Sequence, residues 1–424
     1  MSEKDNKYAF NVYGYIDPEL TPNYFEYDSK DWVAWGEANL YPNRIIDLFN
    51  GSAINHTCII SKVDAICGLG LYSDDLTINA RLRRANPKEN WDEVFQKIAL
   101  DYQLFGGFAL NVVWNRAGDK ISEVYHIDFS KLRSGKHNDE DEITHYYYSS
   151  RWDLYKVRGT KYKPIAYPTF DPENTQGDNA SQIYYYYDYQ PGMEYYPLSS
   201  YIGSLNDIEI DRQLSLFHAA NLNNGLVPSM FISMRNGIPD KSTRDKIYRE
   251  FQESYAGAGN AGRFFLTFSD TPETAPEITP LNLTNDQYYI QLEQRLSSRI
   301  LTGHRISSPL LLGIREGGNG LGSNSQELLM AYSHFINTVV QPDQKILLKQ
   351  VNKMFEYMGF EMPDIQIENA PLLDEDIIIA EDVPQVERVD TDEPLGKNPA
   401  TGQPIDNTLM ENLKTKLLTG IPQK

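Results

Sequence analysis

The stretch ISSPLLLGIREGGNGLGSNSQE, residues 306–327, decides the fold, because it separates two long helical patterns. The helix before it is predicted over residues 285–302, where apolar side chains recur every three or four positions. The helix after it is predicted to begin at Ser323, with Gln326 completing a capping box. A short apolar segment and a glycine-rich loop therefore lie between two long helices.

The second helix is very long, and a proline interrupts it. Its apolar stripe runs on both sides of Pro342 and ends at Gly359. Proline has no backbone N–H and its ring collides with the preceding turn, so we expect Pro342 to kink this helix. The stripe consists of Leu328, Leu329, Tyr332, Phe335, Ile336, Val339, Ile346, Leu347, Val351, Met354, Phe355 and Met358.

A basic row follows the polar side of the same helix. Lys345, Lys349 and Lys353 recur at every fourth position, opposite the apolar stripe. Two interpretations stay open: the row is a solvated or salt-bridged surface, or it faces a polyanion. The net charge of the chain does not decide between them, because a local row can oppose the global sign.

The glycine-rich loop is the one segment similar to a phosphate-binding loop. No strand leads into it as in a Rossmann unit, and no Lys-Ser/Thr pair follows as in a P-loop. We therefore expect a mobile loop with hinge-like glycines, since fixing glycine costs the most backbone entropy. The loop consists of Arg315, Glu316, Gly317, Gly318, Asn319, Gly320, Leu321 and Gly322.

Another long helix is predicted over residues 204–224, with Ser204 as its N-cap and Gly225 just beyond its end. A compact α/β insert then occupies residues 225–283, and Pro228 favours an edge position for its first strand. The predicted strands include residues 226–234 and 264–268. The insert thus interrupts two long helices.

The region before residue 204 is predicted to be α+β. Asn90 is expected to cap one helix, and Gly68 and Gly70 to end another. Residues 1–40 show no clean periodicity and are expected to form an arm. The predicted elements are one helical pattern over residues 42–69, a helix over 91–102, a hairpin with strands 108–114 and 121–127, and short strands within 143–203.

Tyrosine is unusually abundant in this region. The chain has 29 tyrosines, and 14 of them fall between Tyr146 and Tyr201. One interpretation is edge strands of a β-rich domain, because the tyrosine ring packs while its hydroxyl stays hydrated. The other is a large subunit interface, where tyrosine is enriched.

The overall composition excludes several classes of protein. Lysine and arginine number 39 against 59 aspartates and glutamates, so general affinity for nucleic acid or anionic membrane is not expected at a net charge of −20. Hydrophobic residues make up 41%, enough for sizeable cores. No apolar run approaches the roughly 20 residues of a membrane helix, and the polar N-terminus is unlike a secretory signal. We expect a soluble protein made in a reducing compartment.

No pattern of chemically reactive residues argues for catalysis. The seven histidines show no metal-ligand spacing, and no Gly-x-Ser-x-Gly motif is present. Cys58 and Cys67 lie too far apart on one helical pattern to form a disulfide and are expected to be buried apolar residues. The sequence therefore predicts no enzyme, no cofactor and no metal site.

The order of these elements, with five local motifs, resembles the portal (head–tail connector) proteins of tailed double-stranded-DNA bacteriophages. The resemblance covers about residues 35–360. Its specificity comes from the order and spacing of the motifs together, since none is diagnostic alone. The motifs are WGEANLYP at 35–42, LFHAANLNNGLVP at 216–228, NAGR at 260–263, ISSPLLLG at 306–313 and SQE at 325–327.

The resemblance implies an α+β, portal-like protomer. Residues 371–424 would form a crown, but nine acidic residues and one basic residue between Asp374 and Glu393, with little apolar periodicity, depart from an ordered crown. The implied segments are an N-terminal arm (1–40), an α/β wing (41–203), two stem helices (204–224 and 285–303), an α/β clip (225–284), a tunnel loop region (304–322), a kinked tunnel helix with the return to the wing (323–370) and the acidic tail or crown (371–424).

The resemblance also implies a function. Such proteins form rings, usually of twelve copies, at one capsid vertex, and viral DNA crosses the ring during packaging and ejection. The implied partners are further copies of the chain, the major capsid protein, a head–tail adaptor, a transient large terminase and double-stranded DNA, with no membrane. The ring would be assembled in the host cytoplasm and remain in the virion. The alternative is a neck or tail adaptor or a capsid-associated protein that never conducts DNA; an enzyme with an unrecognised site is a more distant third.

Overall fold

The structure describes most of the residues between 22 and 369. The computed structural model describes residues 22–157, 161–223, 230–234, 242–243, 246, 264–268, 286–313 and 325–369. All of these residues belong to one unit that ends at residue 370. The predicted tunnel loop Arg315–Gly322, most of the clip and the acidic tail lie outside the described residues.

The described helices lie in two stretches of the chain, residues 41–105 and residues 205–357. The helices are α1 (Tyr41–Gly51), α2 (Ala53–Cys67), α3 (Leu76–Leu82), α4 (Trp91–Phe105), α5 (Leu205–Asn223), α6 (Asp286–Gly303), α7 (Ser325–Phe335) and α8 (Gln341–Tyr357). A π-helical segment, Ile336–Val340, joins α7 to α8. None of the helices in the described part of the chain combines the length and the apolar character that crossing a bilayer requires.

The strands form five small sheets. They are β1 (Tyr24–Phe25), β2 (Ala34–Trp35), β3 (Leu71–Tyr72), β4 (Gly107–Trp114), β5 (Ile121–Ile127), β6 (Leu132–Ser134), β7 (His145–Tyr148), β8 (Ile165–Pro168), β9 (Ser181–Tyr187), β10 (Met230–Met234), β11 (Phe264–Phe268) and β12 (Gln366–Ile367). The two three-stranded sheets, β5-β4-β9 and β6-β7-β8, are antiparallel throughout. The predicted hairpin and the strand over residues 264–268 are confirmed.

The helical pattern over residues 42–69 forms two helices, so the prediction of one continuous pattern is wrong. Ser52 has extended backbone angles, φ −111° and ψ 116°, which break the helix. Its hydroxyl accepts a hydrogen bond from the backbone N–H of Asn55 at 3.2 Å and caps α2. The same hydroxyl donates to Asp211 Oδ2 at 2.7 Å, which ties this break to α5.

Helix α4 begins as predicted. The Asn90 side chain accepts from the backbone N–H of Glu93 at 2.8 Å, and the Glu93 carboxylate accepts from the backbone N–H of Asn90 at 2.9 Å. This reciprocal pair is a capping box. The helix ends at Gly106, whose φ of +84° favours glycine.

The tyrosine-rich region contributes to the core of the protomer. Tyr184 lies on the face of β9 that meets α8, where its hydroxyl donates to Gln350 Oε1 at 2.6 Å. Tyr196 stacks on Trp35 with ring centroids 4.3 Å apart. Strand β9 is at the edge of its sheet, as the edge-strand interpretation predicted. The interface interpretation is wrong for the buried set Tyr146, Tyr184, Tyr195, Tyr196 and Tyr201.

One arginine connects the segment before α1 to the second sheet. Arg133 in β6 is fully buried, and the oxygens it binds are neutral. Its guanidinium donates to the side-chain and backbone oxygens of Asn39 at 2.6 and 2.7 Å, and to the backbone oxygens of Ser130 and Leu132 at 2.8 and 2.6 Å. The group also lies 4.9 Å from the ring centroid of Trp152. One side chain therefore donates to four oxygens, of which the Asn39 side-chain oxygen also accepts from the Trp35 N–H at 2.9 Å.

Helices α5 and α6 approach each other closely at one end. A Cβ atom at Gly303 would lie 1.8 Å from the Ser204 hydroxyl, so only glycine fits there. Ser204, predicted as the N-cap of the first of these helices, lies in a 3-10 turn just before α5, and its hydroxyl donates to the carbonyl of Arg299 at 3.3 Å. The contact joins the start of α5 to the end of α6.

Replacing Arg133 with Met should destabilise the fold strongly. The variant removes the guanidinium from the buried backbone oxygens of Asn39, Ser130 and Leu132, while the Asn39 side-chain oxygen keeps the Trp35 N–H as a donor. We expect the free energy of unfolding to fall by roughly 3 kcal/mol. Denaturant unfolding followed by tryptophan fluorescence measures this change. The matched control is Arg151→Met, which removes an exposed arginine paired with Asp153 and should leave the midpoint nearly unchanged. Equal midpoints for the two variants would contradict the proposed role of Arg133.

Candidate functional site at the helix junction

The C-terminal end of α6, the π-helical segment and the start of α8 meet at one place, here called the helix junction. It comprises Gly303–Ile306, Ile336–Asp343 and Lys62 of α2. The junction lies directly beside the segment that separates the two long helices of the sequence.

Helix α6 ends in a Schellman motif with an arginine in the position that usually holds glycine. The N–H of Ile306 donates to the carbonyl of Leu301 at 2.9 Å, and the N–H of Arg305 donates to the carbonyl of Thr302 at 3.0 Å. Arg305 has φ +61°. This left-handed conformation costs an L-residue with a Cβ atom about 1–2 kcal/mol.

The backbone between α7 and α8 changes from α-helical to π-helical hydrogen bonding just before Pro342. The N–H of Gln341 reaches back five residues to the carbonyl of Ile336, instead of four. Pro342 is the second residue of α8 and has no N–H, so it cannot donate to Thr338, its acceptor in a regular α-helix. The predicted bend at Pro342 stays a prediction; the structure adds a π-helical turn directly before it.

Arg305 donates a hydrogen bond to the carbonyl of Thr338. Its Nη2 lies 2.8 Å from that oxygen. The Thr338 hydroxyl donates in turn to the carbonyl of His334 at 2.7 Å. The end of α6 is therefore hydrogen-bonded to the turn that joins α7 to α8.

Two opposite charges, the buried Lys62 and the half-buried Asp343, influence each other on the other side of the junction. Lys62 is 2% exposed, and burial lowers the pKa of its ammonium to about 8 even though the negative charge of Asp343 opposes this shift. Burial raises the pKa of the Asp343 carboxyl, opposed by Lys62, by the hydrogen bond from Gln103 Nε2 at 2.8 Å and by Arg305. Since Asp343 lies in the first turn of α8, its charge also favours the positive end of that helix.

A buried histidine completes the junction. His304 Nε2 lies 2.9 Å from Asn55 Oδ1, and its ring stacks on Tyr201 with centroids 4.5 Å apart. Burial, together with the positive charge of Lys62, lowers the pKa of His304 to about 3. The imidazole is therefore neutral at physiological pH.

Charged pairs connect the first half of α5 to its neighbours. Glu209 accepts from Arg44 of α1 at 2.8 Å and from Arg212 at 3.1 Å, and Asp207 accepts from Arg299 of α6 at 3.2 Å. Arg44 is nearly buried, which makes its pair less screened than a surface pair. These pairs fix α5 relative to both α1 and α6.

The predicted basic row lies along α8, but its members differ. Lys345 and Lys349 are exposed and make no ion pair with any described residue. Lys353 is half-buried, with its Nζ 5.3 Å from the ring centroid of Tyr184. Lys345 and Lys349 border a surface groove of about 570 Å³, which Glu356 and Asp364 also line.

The predicted and observed site residues overlap only in part. The structure places Pro342 at the junction and the lysine row on the same helix, about one to three turns further along. Sequence reasoning missed Arg305, Lys62 and Asp343. The only signal for Arg305 was its place two residues after a glycine that ends a helical pattern.

Cys58 is buried as predicted, whereas Cys67 is only half-buried, so the prediction is wrong for Cys67. Burial raises the pKa values of both Cys58 and Cys67 to about 12, so their thiols stay protonated at neutral pH. Neither forms a disulfide. Within the described ranges, no three His, Cys, Asp or Glu side chains come together in a way that could hold a metal ion.

Comparisons with known proteins identify a protein family over most of the chain. The model of the family described as "Phage portal protein" matches residues 68–368. A protein of Rickettsia bellii (strain RML369-C), described as uncharacterized, is 24% identical over 256 residues, which are 60% of this chain and 60% of that protein. The match therefore spans less than two thirds of that relative.

Solved structures share the fold at low sequence identity. A chain from the virion of a native gene transfer agent (GTA) particle has a TM-score of 0.50 at 14% identity, covering 90% of this chain and 91% of that chain. A chain from the neck of a native GTA particle, computed with C12 symmetry, has a TM-score of 0.50 at 15% identity, covering 77% and 83%. At sequence identities this low, the structural similarity shows a common fold alone.

The buried histidine should make stability depend on pH. Because the folded pKa of His304 lies below its ordinary value, the unfolded chain binds more protons between pH 6.5 and 3, and stability falls as pH falls through that window. His304→Gln should flatten the loss between pH 6.5 and 5, by at most about 1.4 kcal/mol per pH unit. Thermal unfolding at stepped pH measures it, with the exposed His334→Gln as control. Parallel curves for His304→Gln and wild type would contradict the assignment.

Proposed function

The chain belongs to the phage portal protein family, and on that premise we propose that it forms a ring at the unique vertex of a viral capsid. The ring is the channel for viral DNA during packaging and ejection, and the platform on which a terminase and a head–tail adaptor dock. The observation that carries this proposal is the family match over residues 68–368. A shared fold with a chain from a particle neck supports it.

The proposed ring has twelve copies. The GTA neck that shares the fold was computed with C12 symmetry, and another GTA neck, from an empty particle, with C6 symmetry, which divides twelve. A closed ring needs a heterologous interface, in which one face of a copy meets a different face of the next. The major capsid protein surrounds the ring in the virion, after assembly in the host cytoplasm.

We assign the segments of the protomer as the family resemblance implies. Helices α5 and α6 are the stem, and residues 225–284 between them are the clip that meets the terminase and the adaptor. Residues 41–203 form the wing, and α7 with α8 the tunnel helix. Support comes from the close contact of α5 with α6 at Ser204 and Gly303, and from the parallel pairing of β10 with β11 inside the insert.

A structural role fits the chemistry of the chain. A channel must let DNA pass without holding it, and a net charge of −20 keeps binding driven by counterion release weak. ATP hydrolysis belongs to the terminase, since no P-loop motif is present in this sequence. Within this weakly binding channel, we assign DNA contact to the tunnel loop Arg315–Gly322.

Electron microscopy of the purified full-length protein tests the proposal. We expect rings with an axial hole wide enough for duplex DNA, and filled particles in which residues 315–322 face the axis and residues 225–284 face the adaptor. A monomer, or a ring without such a hole, would support the alternative of a capsid or neck protein that does not conduct DNA. If residues 315–322 lie between copies, away from the axis, the tunnel-loop assignment is wrong.

The lysine row is proposed to face the channel or a neighbouring copy. Replacing Lys345, Lys349 and Lys353 with Gln should then reduce ring assembly, DNA packaging or DNA retention at least severalfold, as measured by ring yield and by nuclease-protected DNA per particle. The control is Lys156, Lys161 and Lys163→Gln, which removes the same charge from the wing. Equal yields for both triple variants would indicate that the lysine row is a solvated surface.

A further inference from the structure

The loop between α3 and α4 presents mainly basic side chains. Its residues 83–88 have the sequence RRANPK, and we call this segment the basic loop. Arg83, Arg84 and Lys88 are exposed together with Pro87, whereas Ala85 is fully buried. Three of the four exposed side chains of the loop are therefore positive, in a chain with a net charge of −20.

One buried asparagine fixes the basic loop against β5. Asn86 is 2% exposed, and its side-chain oxygen accepts from the backbone N–H groups of Lys88 and Glu89 at 2.9 and 3.0 Å. Its side-chain nitrogen donates to the carbonyl of Val124 in β5 at 3.0 Å. The N–H of Val124 donates in turn to the carbonyl of Ala85 at 3.1 Å. Because the backbone of the loop is already held in place, a ligand does not have to order it.

The fold accounts for the neighbouring arginine of α3 but not for the three basic residues of the loop. Arg81 is half-buried, and its Nη2 donates to the carbonyl of Ser122 at 2.6 Å. Arg83, Arg84 and Lys88 form no ion pair with any residue in the part of the chain that the structure describes. Their charges are therefore available to a ligand.

Two carboxylates near the loop are engaged by other groups. Glu123 accepts from the Tyr125 hydroxyl at 2.6 Å, and Glu89 pairs with Lys97. The position of Lys88 is also unfavourable for the fold itself, because it precedes the N-cap of α4 by two residues, where the positive end of the helix dipole disfavours a cation. The charge of Lys88 is thus better explained by a ligand than by stability.

The chemistry of this surface fits a phosphodiester backbone better than a protein segment. Two of the three free cations are arginines, whose planar fork matches the oxygens of a phosphate. Protein partners usually bind through large apolar or aromatic anchors, and the basic loop contains no such side chain. Charge without apolar anchors is typical of contacts to the nucleic-acid backbone, and a local patch can make them against the global sign of the chain.

We propose that the basic loop is a binding site for the phosphate backbone of nucleic acid, in which Arg83, Arg84 and Lys88 each contact a phosphate and no base is read. The site is separate from the tunnel loop, because it lies in the segment assigned to the wing. That the nucleic acid is duplex DNA rests on the proposed function; the binding of a phosphodiester backbone does not.

Fluorescence anisotropy of a labelled DNA duplex with the full-length protein, measured between 50 and 200 mM salt, tests the proposal. Replacing Arg83, Arg84 and Lys88 with Gln should make the slope of log association constant against log salt shallower by about 2–3, since each neutralised phosphate contributes about 0.9. The affinity at the lowest salt concentration should fall by about tenfold or more.

The matched control replaces Lys156, Lys161 and Lys163 with Gln, which removes three exposed positive charges elsewhere on the chain. It should change the slope by less than about 0.5, because no phosphate contact is lost. Equal slopes for the two triple variants would overturn the proposal. If the loop variant does not fold, Lys88→Gln alone should make the slope shallower by about 0.9, and an unchanged slope would overturn the proposal equally.

Two further probes test the class of ligand. Poly-glutamate of the same charge as the duplex should bind about tenfold or more weakly, because its carboxylates lack the charge density and counterion release of the duplex. Poly-glutamate that binds as tightly as DNA, and loses this affinity in the loop variant, would overturn the assignment and indicate an acidic protein segment. A duplex RNA of the same length separates the two sources of phosphodiester backbone: tighter binding of RNA than of DNA would overturn DNA as the ligand.

This proposal and the proposed function fail independently. Absence of rings in electron microscopy would overturn the proposed function and leave the salt slopes standing. Unchanged slopes in the loop variants would overturn the phosphate site and leave the rings untouched.

Discussion

The structure depends on satisfying backbone oxygens where regular secondary structure cannot. Pro342 has no N–H to reach Thr338 in α-helical register, and Arg305, just beyond the end of α6, donates to that carbonyl. In strand β6, Arg133 donates to the backbone oxygens of Ser130 and Leu132, and also binds Asn39. Arg133 uses the fixed fork of its guanidinium to reach several oxygens at once, which a lysine cannot match with one point charge. Irregular segments are thus held by single side chains of high donor capacity.

Local signals in the sequence predicted those elements whose ends are determined by their own residues. Asn90 caps α4, and strands β4 and β5 form the predicted hairpin around Gly118. Where the outcome depends on a distant partner, the same reasoning failed. Ser52 breaks a continuous helical pattern because its hydroxyl both caps α2 and binds Asp211, which is 159 residues away. The buried tyrosines likewise find their partners only in the folded chain, as Tyr196 does with Trp35.

The candidate site was less predictable than the fold. Pro342 and the lysine row are visible in the sequence because proline and a four-residue repeat act locally. Arg305 could not be recognised, because its importance follows from a left-handed backbone and a carbonyl 33 residues further along the chain. Lys62 and Asp343 lie 281 residues apart in the sequence, and each has its pKa shifted by burial that no pattern reveals.

Electrostatics operate at two length scales in this protein. The net charge of −20 is distributed over the whole chain and acts on a long polyanion as a weak, general repulsion. At physiological ionic strength, charges more than about 8 Å apart are largely screened at an exposed surface. Lys345 and Lys349, which have no described carboxylate partner, therefore present a positive surface to whatever lies within that distance, independently of the global sign. Lys353 differs, because its ammonium is over the ring of Tyr184 and is partly withdrawn from solvent. Under the proposed function, such a row affects only a neighbouring copy or DNA in direct contact, which is compatible with a channel that must not retain its cargo.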